Sequence, residues 1–284
     1  SVEGSKYIRY SEQLTFDQGG SNSLAAELRT AVRQNQFELH YQPRIDLATG
    51  KLVGLEALLR WNHPERGLLC PSEFIVACED MGLLRTIGYQ VIQHACAAQV
   101  WVEEQGIRDV DVAVNISFSQ FQDDRFVDIV KDIIKRSGTD ASRLEFELTE
   151  TTILKSPEAV KGRMDQLRLL GISFSLDDFG TGFSQLSHLT ELPISALKID
   201  ACFVRDLPHN PHQEAVCAMI IEMARRLGMM VVAEGAETHE QVEYLREHKC
   251  QQVQGFYYSP AIPLQQLPRF VKQLHLQRRE PLFS

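Results

Sequence analysis

The feature that most constrains the fold is a regular alternation of short apolar segments with helical segments between Val110 and Phe256. The strand candidates are VDVAVNIS, RLEFELTE, GISFSLDDFG, ISALKID, GMMVVAEGAE and CQQVQGF, and stretches such as FVDIVKDIIKRSG separate them. Strands that are joined through helices run parallel to one another. The second half of the chain is therefore predicted to form a parallel sheet with helices packed on it.

The earlier part of the chain supplies the remaining strands. FELHYQPRIDL and KLVGLEALLRW are extended, and DLATGK between them is typical of a hairpin turn. A chain of 284 residues then holds enough units for about eight strands. We predict an α/β fold, a closed (β/α)8 TIM-like barrel with an early antiparallel strand. An open doubly wound sheet is less favoured, because no strand is followed by a GxGxxG fingerprint.

Domain boundaries follow from a change in composition near the start. Residues 1–21 are polar, include Gly19-Gly20 and show no sustained period. We interpret residues 1–21 as a linker from an upstream region and residues 22–284 as the barrel domain.

Polar residues end the strands on one face. Side chains alternate between the two faces of a strand, and in each predicted strand the inward parity ends in a polar residue. These residues are Glu56, Asn115, Glu147, Asp177, Lys198, Glu234 and Gln254. They are predicted to converge at the carboxyl ends of the strands, where barrel enzymes place their active sites.

The converging set contains too many carboxylates to be stable without cations. Counting Asp178, five carboxylates meet one lysine, and their repulsion in a partly dry cleft is unfavourable. All donors apart from the lysine are oxygens, which favours Mg²⁺, Mn²⁺ or Ca²⁺ over zinc. Adjacent aspartates suit a two-metal site of the kind that transfers phosphoryl groups. The sequence therefore predicts metal-dependent chemistry on a phosphate ester.

Seven motifs in order resemble those of the EAL domain family. They are EALLRW (56–61), NIS (115–117), ELTE (147–150), DDFGTGF (177–183), KID (198–200), AEGAET (233–238) and QGF (254–256). The resemblance implies a cyclic di-GMP phosphodiesterase that opens the cyclic dinucleotide to linear pGpG. It also implies two Mg²⁺ or Mn²⁺ ions per site, with Ca²⁺ inhibitory.

The resemblance assigns a role to each matching residue. One metal would be held by Glu56, Asn115, Glu147 and Asp177, and the second by Asp177 and Asp178. Glu56, Asp177, Lys198 and Glu234 would be catalytic, with Lys198 near the attacking water and Glu234 either orienting water or accepting a proton. Substrate and water contacts would come from Gln42, Arg60, Glu237, Gln254 and Pro260. Glu150 would steady the glycine-containing loop after Asp178.

Composition excludes several other classes of protein. The formal net charge of −9 gives no general attraction to nucleic acid or to an anionic membrane. No CxxC pair occurs among the six cysteines, which indicates free thiols in a reducing, cytoplasmic compartment. His63, His209 and His212 lie in Pro-rich stretches and are predicted to be surface groups. Membrane anchoring would have to come from an upstream part of a longer protein.

Two alternative functions remain open at this point. A catalytically silent cyclic di-GMP receptor would need the same substrate-binding residues, although the intact ligand set argues against it. A different Mg²⁺ barrel enzyme with a lysine base would leave Gln42 and Arg60 unexplained. The resemblance further implies a homodimer and an upstream sensor or diguanylate-cyclase-like domain.

Overall fold

The barrel wall consists of eight strands that close on themselves. The computed structural model describes residues 18–155, 157–180 and 191–277. The strands are β1 (Phe37–Asp46), β2 (Leu52–His63), β3 (Gly67–Leu69), β4 (Asp111–Asn115), β5 (Leu144–Thr149), β6 (Ser173–Phe179), β7 (Ala196–Ile199), β8 (Met230–Ala233), β9 (Gln252–Gln254) and β10 (Ile262–Pro263). The pairing β1-β2-β4-β5-β6-β7-β8-β9 returns to β1, and the short β3 and β10 add to its margins. The predicted (β/α)8 barrel is confirmed.

Helices cover the outside of this barrel. They are α1 (Gln18–Arg33), α2 (Ile75–Asp80), α3 (Leu84–Glu104), α4 (Phe118–Phe121), α5 (Phe126–Ser137), α6 (Glu150–Lys155), α7 (Pro157–Arg168), α8 (Ala201–Val204), α9 (Pro211–Arg226), α10 (His239–Glu247) and α11 (Leu267–Gln277). Short 3₁₀ turns occur at Pro71–Glu73, Ala141–Arg143 and Leu264–Gln266. Within the described ranges, no helix has both the length and the apolar character needed to cross a membrane.

The first strand runs against its neighbours. β1 is antiparallel to β2 over nearly its whole length and antiparallel to β9 at Arg44–Asp46, whereas β2 and β4 to β9 pair in parallel. The hairpin turn carries Asp46, whose carboxylate accepts from the Thr49 backbone and hydroxyl. The predicted early antiparallel strand is confirmed, and it is also the strand that closes the barrel.

The two faces of the strands divide the interior as parity predicts. The outward set packs under the helices with almost no exposure: Leu55, Val114, Phe146, Leu176, Ile199 and Val231. Burying such side chains supplies about 1.5–3 kcal/mol each. The opposite parity is mostly small or polar, with Val232 as an apolar exception, and its last members collect at one end of the barrel. The hydrophobic core therefore lies between the strands and the helices, and the axis is left for polar groups.

Candidate active site

Lys198 lies at the centre of the polar end of the barrel. Its Nζ is 2.6 Å from Glu147 Oε2, 2.7 Å from Glu234 Oε1, 3.1 Å from Asp177 Oδ1 and 3.6 Å from Glu56 Oε1. The lysine side chain is 1% exposed, and the four carboxylates come from four different strands or strand ends. The structure thus brings together the acidic residues that the strand parity predicted.

Amide side chains hold Glu56 on its other sides. Asn115 Nδ2 donates to Glu56 Oε1 at 2.9 Å, and Gln254 Nε2 donates to Glu56 Oε2. The same Gln254 nitrogen lies 3.1 Å from Gln42 Oε1. Glu56 is therefore fixed by neighbours from β4 and β9 as well as by Lys198.

A β-bulge explains how two consecutive aspartates reach the same end of the barrel. Ser175 and Leu176 pair with Ala196 and Leu197, but the next pair is Phe179 with Ile199. Two residues of β6, Asp177 and Asp178, are thus opposite the single Lys198 on β7, which is a bulge. Asp178 has φ of 55°, and its N–H donates to Asp177 Oδ1 at 3.0 Å. The bulge releases Asp178 from the alternation and returns Phe179 to the buried outer face.

Three carboxyl groups of this cluster have raised pKa values. Burial, reinforced by the charge of Glu56, raises the pKa of Glu147 well above its usual range. Burial raises the pKa of Glu234 to about 8, against the opposing effect of Lys198. Asp178 is exposed as a residue, yet partial desolvation of its carboxyl and the charge of Asp177 raise its pKa to about 6. These three carboxyl groups therefore take up protons more readily than free carboxylates do.

In two other members, Glu56 and Lys198, the neighbours favour the charged form of the side chain. Burial opposes ionisation of Glu56, but Lys198, Gln254 and Asn115 together lower its pKa. Burial alone would lower the pKa of Lys198, but Glu147, Glu234 and Glu56 hold it well above its usual range. The carboxylates around Lys198 therefore favour its protonated, positively charged form.

The donor set fits a divalent cation. Buried Glu147 Oε1 has no hydrogen-bond partner in the described part of the chain, and an unpaired buried carboxylate oxygen is costly. Within that part, no group of three or more His, Cys, Asp and Glu side chains is already arranged around a metal position. The carboxylates instead turn towards Lys198 Nζ. Oxygen donors from Glu56, Asn115, Glu147 and Asp177 are nevertheless the type that Mg²⁺ and Mn²⁺ take.

The predicted substrate residues are only partly drawn together. Gln42 Nε2 donates to the carbonyl of Ser259 at 3.2 Å, which brings Gln42 beside Pro260. Arg60 is further along β2, where Nη1 donates to the Leu59 carbonyl. Glu237 is exposed. Within the described residues, neither Arg60 nor Glu237 forms a hydrogen bond or ion pair with the carboxylate cluster.

Glu150 begins α6 directly after β5, at the carboxyl end of that strand. The loop that it was predicted to steady, with Thr181, Gly182 and Phe183, is outside the described residues. The supporting role of Glu150 stays a prediction.

A buried ion pair beneath the carboxylates was missed in the sequence. Arg44 Nη1 and Nη2 donate to Glu145 Oε1 and Oε2 at 2.9 and 2.8 Å. A signal was present, because Arg44 shares its parity with Gln42 and Glu145 shares its parity with Glu147. The bulge also left a signal: Phe174 and Leu176 have one parity and buried Phe179 has the other.

The prediction that His63 is a surface group is wrong. His63 ends β2, is 6% exposed, and its ring packs on Trp61 with centroids 4.8 Å apart. Its Nε2 lies 3.3 Å from Glu27 Oε2, and Nδ1 accepts from the backbone of Glu65 and Arg66. Residues 64–66 form the β2–β3 turn, and its backbone N–H groups hold the ring in this position.

Comparisons with known proteins agree on one family. A model described as the EAL domain matches residues 25–261. Over 275 residues the chain is 38% identical to the cyclic di-GMP phosphodiesterase NbdA of Pseudomonas aeruginosa, covering 97% of this chain and 35% of that protein. It is 39% identical over 245 residues to the bifunctional diguanylate cyclase/cyclic di-GMP phosphodiesterase MucR of the same organism, covering 86% of this chain and 36% of that protein. The chain thus spans about a third of the length of these curated relatives.

Solved structures give the same result for the fold. A structure described as the PaMucR phosphodiesterase in complex with c-di-GMP superposes with a TM-score of 0.82 at 39% identity, covering 86% of this chain and 99% of that one. The EAL enzyme Bd1971 in its cAMP- and cyclic-di-GMP-bound form gives 0.83 at 33% identity, over 92% and 70% of the two chains.

Proposed function

Because the chain belongs to the EAL domain family, we propose that it is a phosphodiesterase that hydrolyses cyclic di-GMP to linear pGpG with two Mg²⁺ or Mn²⁺ ions. The observation that carries this proposal is the convergence of Glu56, Asn115, Glu147 and Asp177 around Lys198, with a buried Glu147 oxygen left unpaired. Relatives such as NbdA, which are named as cyclic di-GMP phosphodiesterases, support the choice of substrate.

The metal ligands follow from the oxygen donors. Glu56, Asn115, Glu147 and Asp177 would hold one ion, and Asp177 and Asp178 the other. Such a pair, when bound, lowers the pKa of water and offsets charge on the transferring phosphoryl group. Ca²⁺ should bind the same oxygens without supporting turnover, because its larger, more flexible coordination shell places them less strictly.

The protein's own groups perform the remaining steps. Lys198 supplies a fixed charge that draws the carboxylates inward and stabilises negative charge on the phosphate. Glu234, whose Oε1 is 2.7 Å from Lys198 Nζ, orients the attacking water or accepts its proton. Gln254 keeps Glu56 in place, while Gln42, Arg60, Glu237 and Pro260 bind the dinucleotide, with the Arg60 guanidinium suited to a phosphate.

Incubation of the chain with cyclic di-GMP and Mg²⁺ or Mn²⁺ tests the proposal. A linear dinucleotide should accumulate, and both EDTA and Ca²⁺ should stop its formation. Binding of cyclic di-GMP without turnover would identify the chain as a silent receptor instead. Failure to bind the dinucleotide at all would refute both functions.

The setting in which the domain works is a second part of the proposal. We propose a cytoplasmic domain that forms a homodimer and receives signals from an upstream sensor or diguanylate-cyclase-like domain; the name of the relative MucR includes a diguanylate cyclase activity for that protein. Sedimentation of the isolated chain tests the dimer, since a monomer at all concentrations would contradict it.

A further inference from the structure

The barrel interior beneath the carboxylates is filled by an ion pair. The Arg44 and Glu145 side chains are 2% and 5% exposed, and they meet through two parallel hydrogen bonds. Each has one small neighbour in register, since Gly54 on β2 is opposite Arg44 and Ala113 on β4 is opposite Glu145, while Gln254 on β9 is opposite Arg44 on its other side. The pair fills the space that Gly54 and Ala113 leave, and it joins β1 to β5.

A contribution to stability does not by itself explain a buried ion pair at this position. Barrel interiors are usually filled by branched apolar side chains. A buried ion pair pays a large desolvation cost, and apolar residues of similar volume are often as stabilising or more so. The position of the pair offers a better reason for its presence.

Each residue of the pair is two positions from a site residue that points the same way. Arg44 follows Gln42 on β1, and Glu145 precedes Glu147 on β5. A rigid bidentate bond between the two strands sets where Gln42 and Glu147 stand relative to each other. Residues that orient metal ligands in this indirect manner commonly affect metal affinity 10- to 100-fold.

The Arg44 guanidinium packs directly against the backbone of Gly54. A Cβ atom at position 54 would lie 2.5 Å from Arg44 Nε and 2.6 Å from Nη2. The backbone of Gly54 is not in the left-handed region, so its conformation does not require glycine. Glycine is needed at this position because the Arg44 guanidinium occupies the space where a side chain would be, and Glu56 is the second residue after it.

We propose that the Arg44–Glu145 pair, seated on Gly54, is a positioning device that sets the spacing of the oxygen ligands contributed by β2 and β5. The inference rests on the proposed function, because those oxygens are taken as metal ligands. Arg44, Glu145 and Gly54 do not touch the reacting atoms; they act through Glu56 and Glu147.

The first test replaces the pair by apolar residues of similar size. Arg44→Met with Glu145→Leu should fold with a thermal midpoint close to that of the wild type. Its Mn²⁺ affinity, measured by calorimetry without substrate, should fall by about 10- to 100-fold. Turnover at low Mn²⁺ should fall with it and recover at saturating Mn²⁺.

The second test leaves both charges in place and moves only the guanidinium. Gly54→Ala should also lower the Mn²⁺ affinity, whereas Gly162→Ala, whose added Cβ meets no atom within 4 Å, should not. Added to the Arg44→Met, Glu145→Leu variant, Gly54→Ala should cause no further loss, because the guanidinium that it displaces is gone. The comparison of Gly54→Ala with Gly162→Ala stands even if the apolar double variant fails to fold.

The outcomes separate the two proposals. Wild-type protein that neither binds Mn²⁺ nor cleaves cyclic di-GMP would overturn the proposed function, and this inference with it. Wild-type protein that does both, while Gly54→Ala and the double variant match it in Mn²⁺ affinity and turnover, would overturn the inference alone. So would a loss of turnover that saturating Mn²⁺ leaves unrepaired, because the defect would then not lie in the ligands.

Discussion

At the scale of single residues, parity in the strands was a sufficient guide to the acidic cluster. Glu56, Glu147, Asp177 and Glu234 all reach Lys198, because the inward face of a strand is fixed once its neighbours are apolar. The positive φ of Asp178 and the bond between Arg44 and Glu145 escaped prediction. Both depend on which residues lie opposite each other on neighbouring strands. This register cannot be derived from the local sequence of one strand.

Loss of a ligand should abolish turnover. Glu56→Ala or Asp177→Asn removes an oxygen donor from the cluster, so we expect hydrolysis of cyclic di-GMP to fall more than about 100-fold, beyond the cost of losing a supporting residue. Product formation by chromatography measures this. Asp128→Asn, at an aspartate 82% exposed on α5, is the matched control and should keep wild-type activity. Near-normal turnover in Glu56→Ala would contradict the ligand assignment.

The left-handed backbone at Asp178 predicts a reversal in the usual order of stability. Alanine is strained at φ of 55°, so the free energy of unfolding of Asp178→Gly should exceed that of Asp178→Ala by about 1 kcal/mol. Urea denaturation of the two variants measures the difference. Both variants lose the carboxylate, so the comparison isolates the backbone. At Asp128 within α5 the order should invert, since glycine costs up to about 1 kcal/mol in a helix. Equal stabilities of the two variants at position 178 would contradict this prediction and indicate that the backbone of the bulge changes conformation to accommodate alanine.

At the scale of elements, the alternation of helix and strand was predictable and the irregular joints were not. The segment after β8 illustrates the difference. Thr238 and Gln241 form a capping box at the start of α10, with Gln241 Oε1 accepting from the backbone of Glu237 and Thr238. Gln241 Nε2 donates to the Arg205 carbonyl at 2.6 Å. The cap can be identified in the sequence as T-x-x-Q, but its bond to the segment after α8 depends on how the two loops pack.

Gln241 should therefore contribute more to the stability of the folded chain than a surface glutamine does. Gln241→Ala leaves two backbone N–H groups and one carbonyl without this partner, and we expect the free energy of unfolding to fall by about 2 kcal/mol. Urea denaturation measures the change. Gln93→Ala, at an exposed glutamine on α3, is the control and should stay within about 0.5 kcal/mol. A similarly small effect at Gln241 would show that water replaces its bonds.

For the whole molecule, the count of charges at the barrel mouth links stability to metal. Four carboxylates contact Lys198, and burial together with the charges of neighbouring carboxylates raises the pKa values of Glu147 and Glu234. The number of strands and the place of the site were predictable from length and spacing. The presence of a second polar layer below the carboxylates, formed by Arg44 and Glu145, was not predictable. The sequence does not give the volume that Gly54 and Ala113 leave inside the barrel.

Divalent cations should consequently stabilise the folded chain. At a Mn²⁺ concentration 100 times the dissociation constant, linkage adds about 2.7 kcal/mol and raises the thermal midpoint by roughly 5–10 °C. Scanning calorimetry with Mn²⁺ and with EDTA measures the shift. The Glu56→Ala variant should show little of it. A wild-type midpoint that does not respond to millimolar Mn²⁺ would contradict metal binding by this cluster.

The antiparallel β1 has a consequence for the order in which the molecule assembles. The contact between Gln254 and Gln42 joins residues 212 apart in sequence, and the β1–β9 pairing that closes the barrel lies beside it. Pairings of such long range are slow, since chain entropy must be lost before they form. A growing polypeptide can make the hairpin early, yet Glu56 gains its Gln254 partner only after nearly the entire domain has been synthesised. Catalytic competence should therefore appear late and all at once, and partly translated chains should have none.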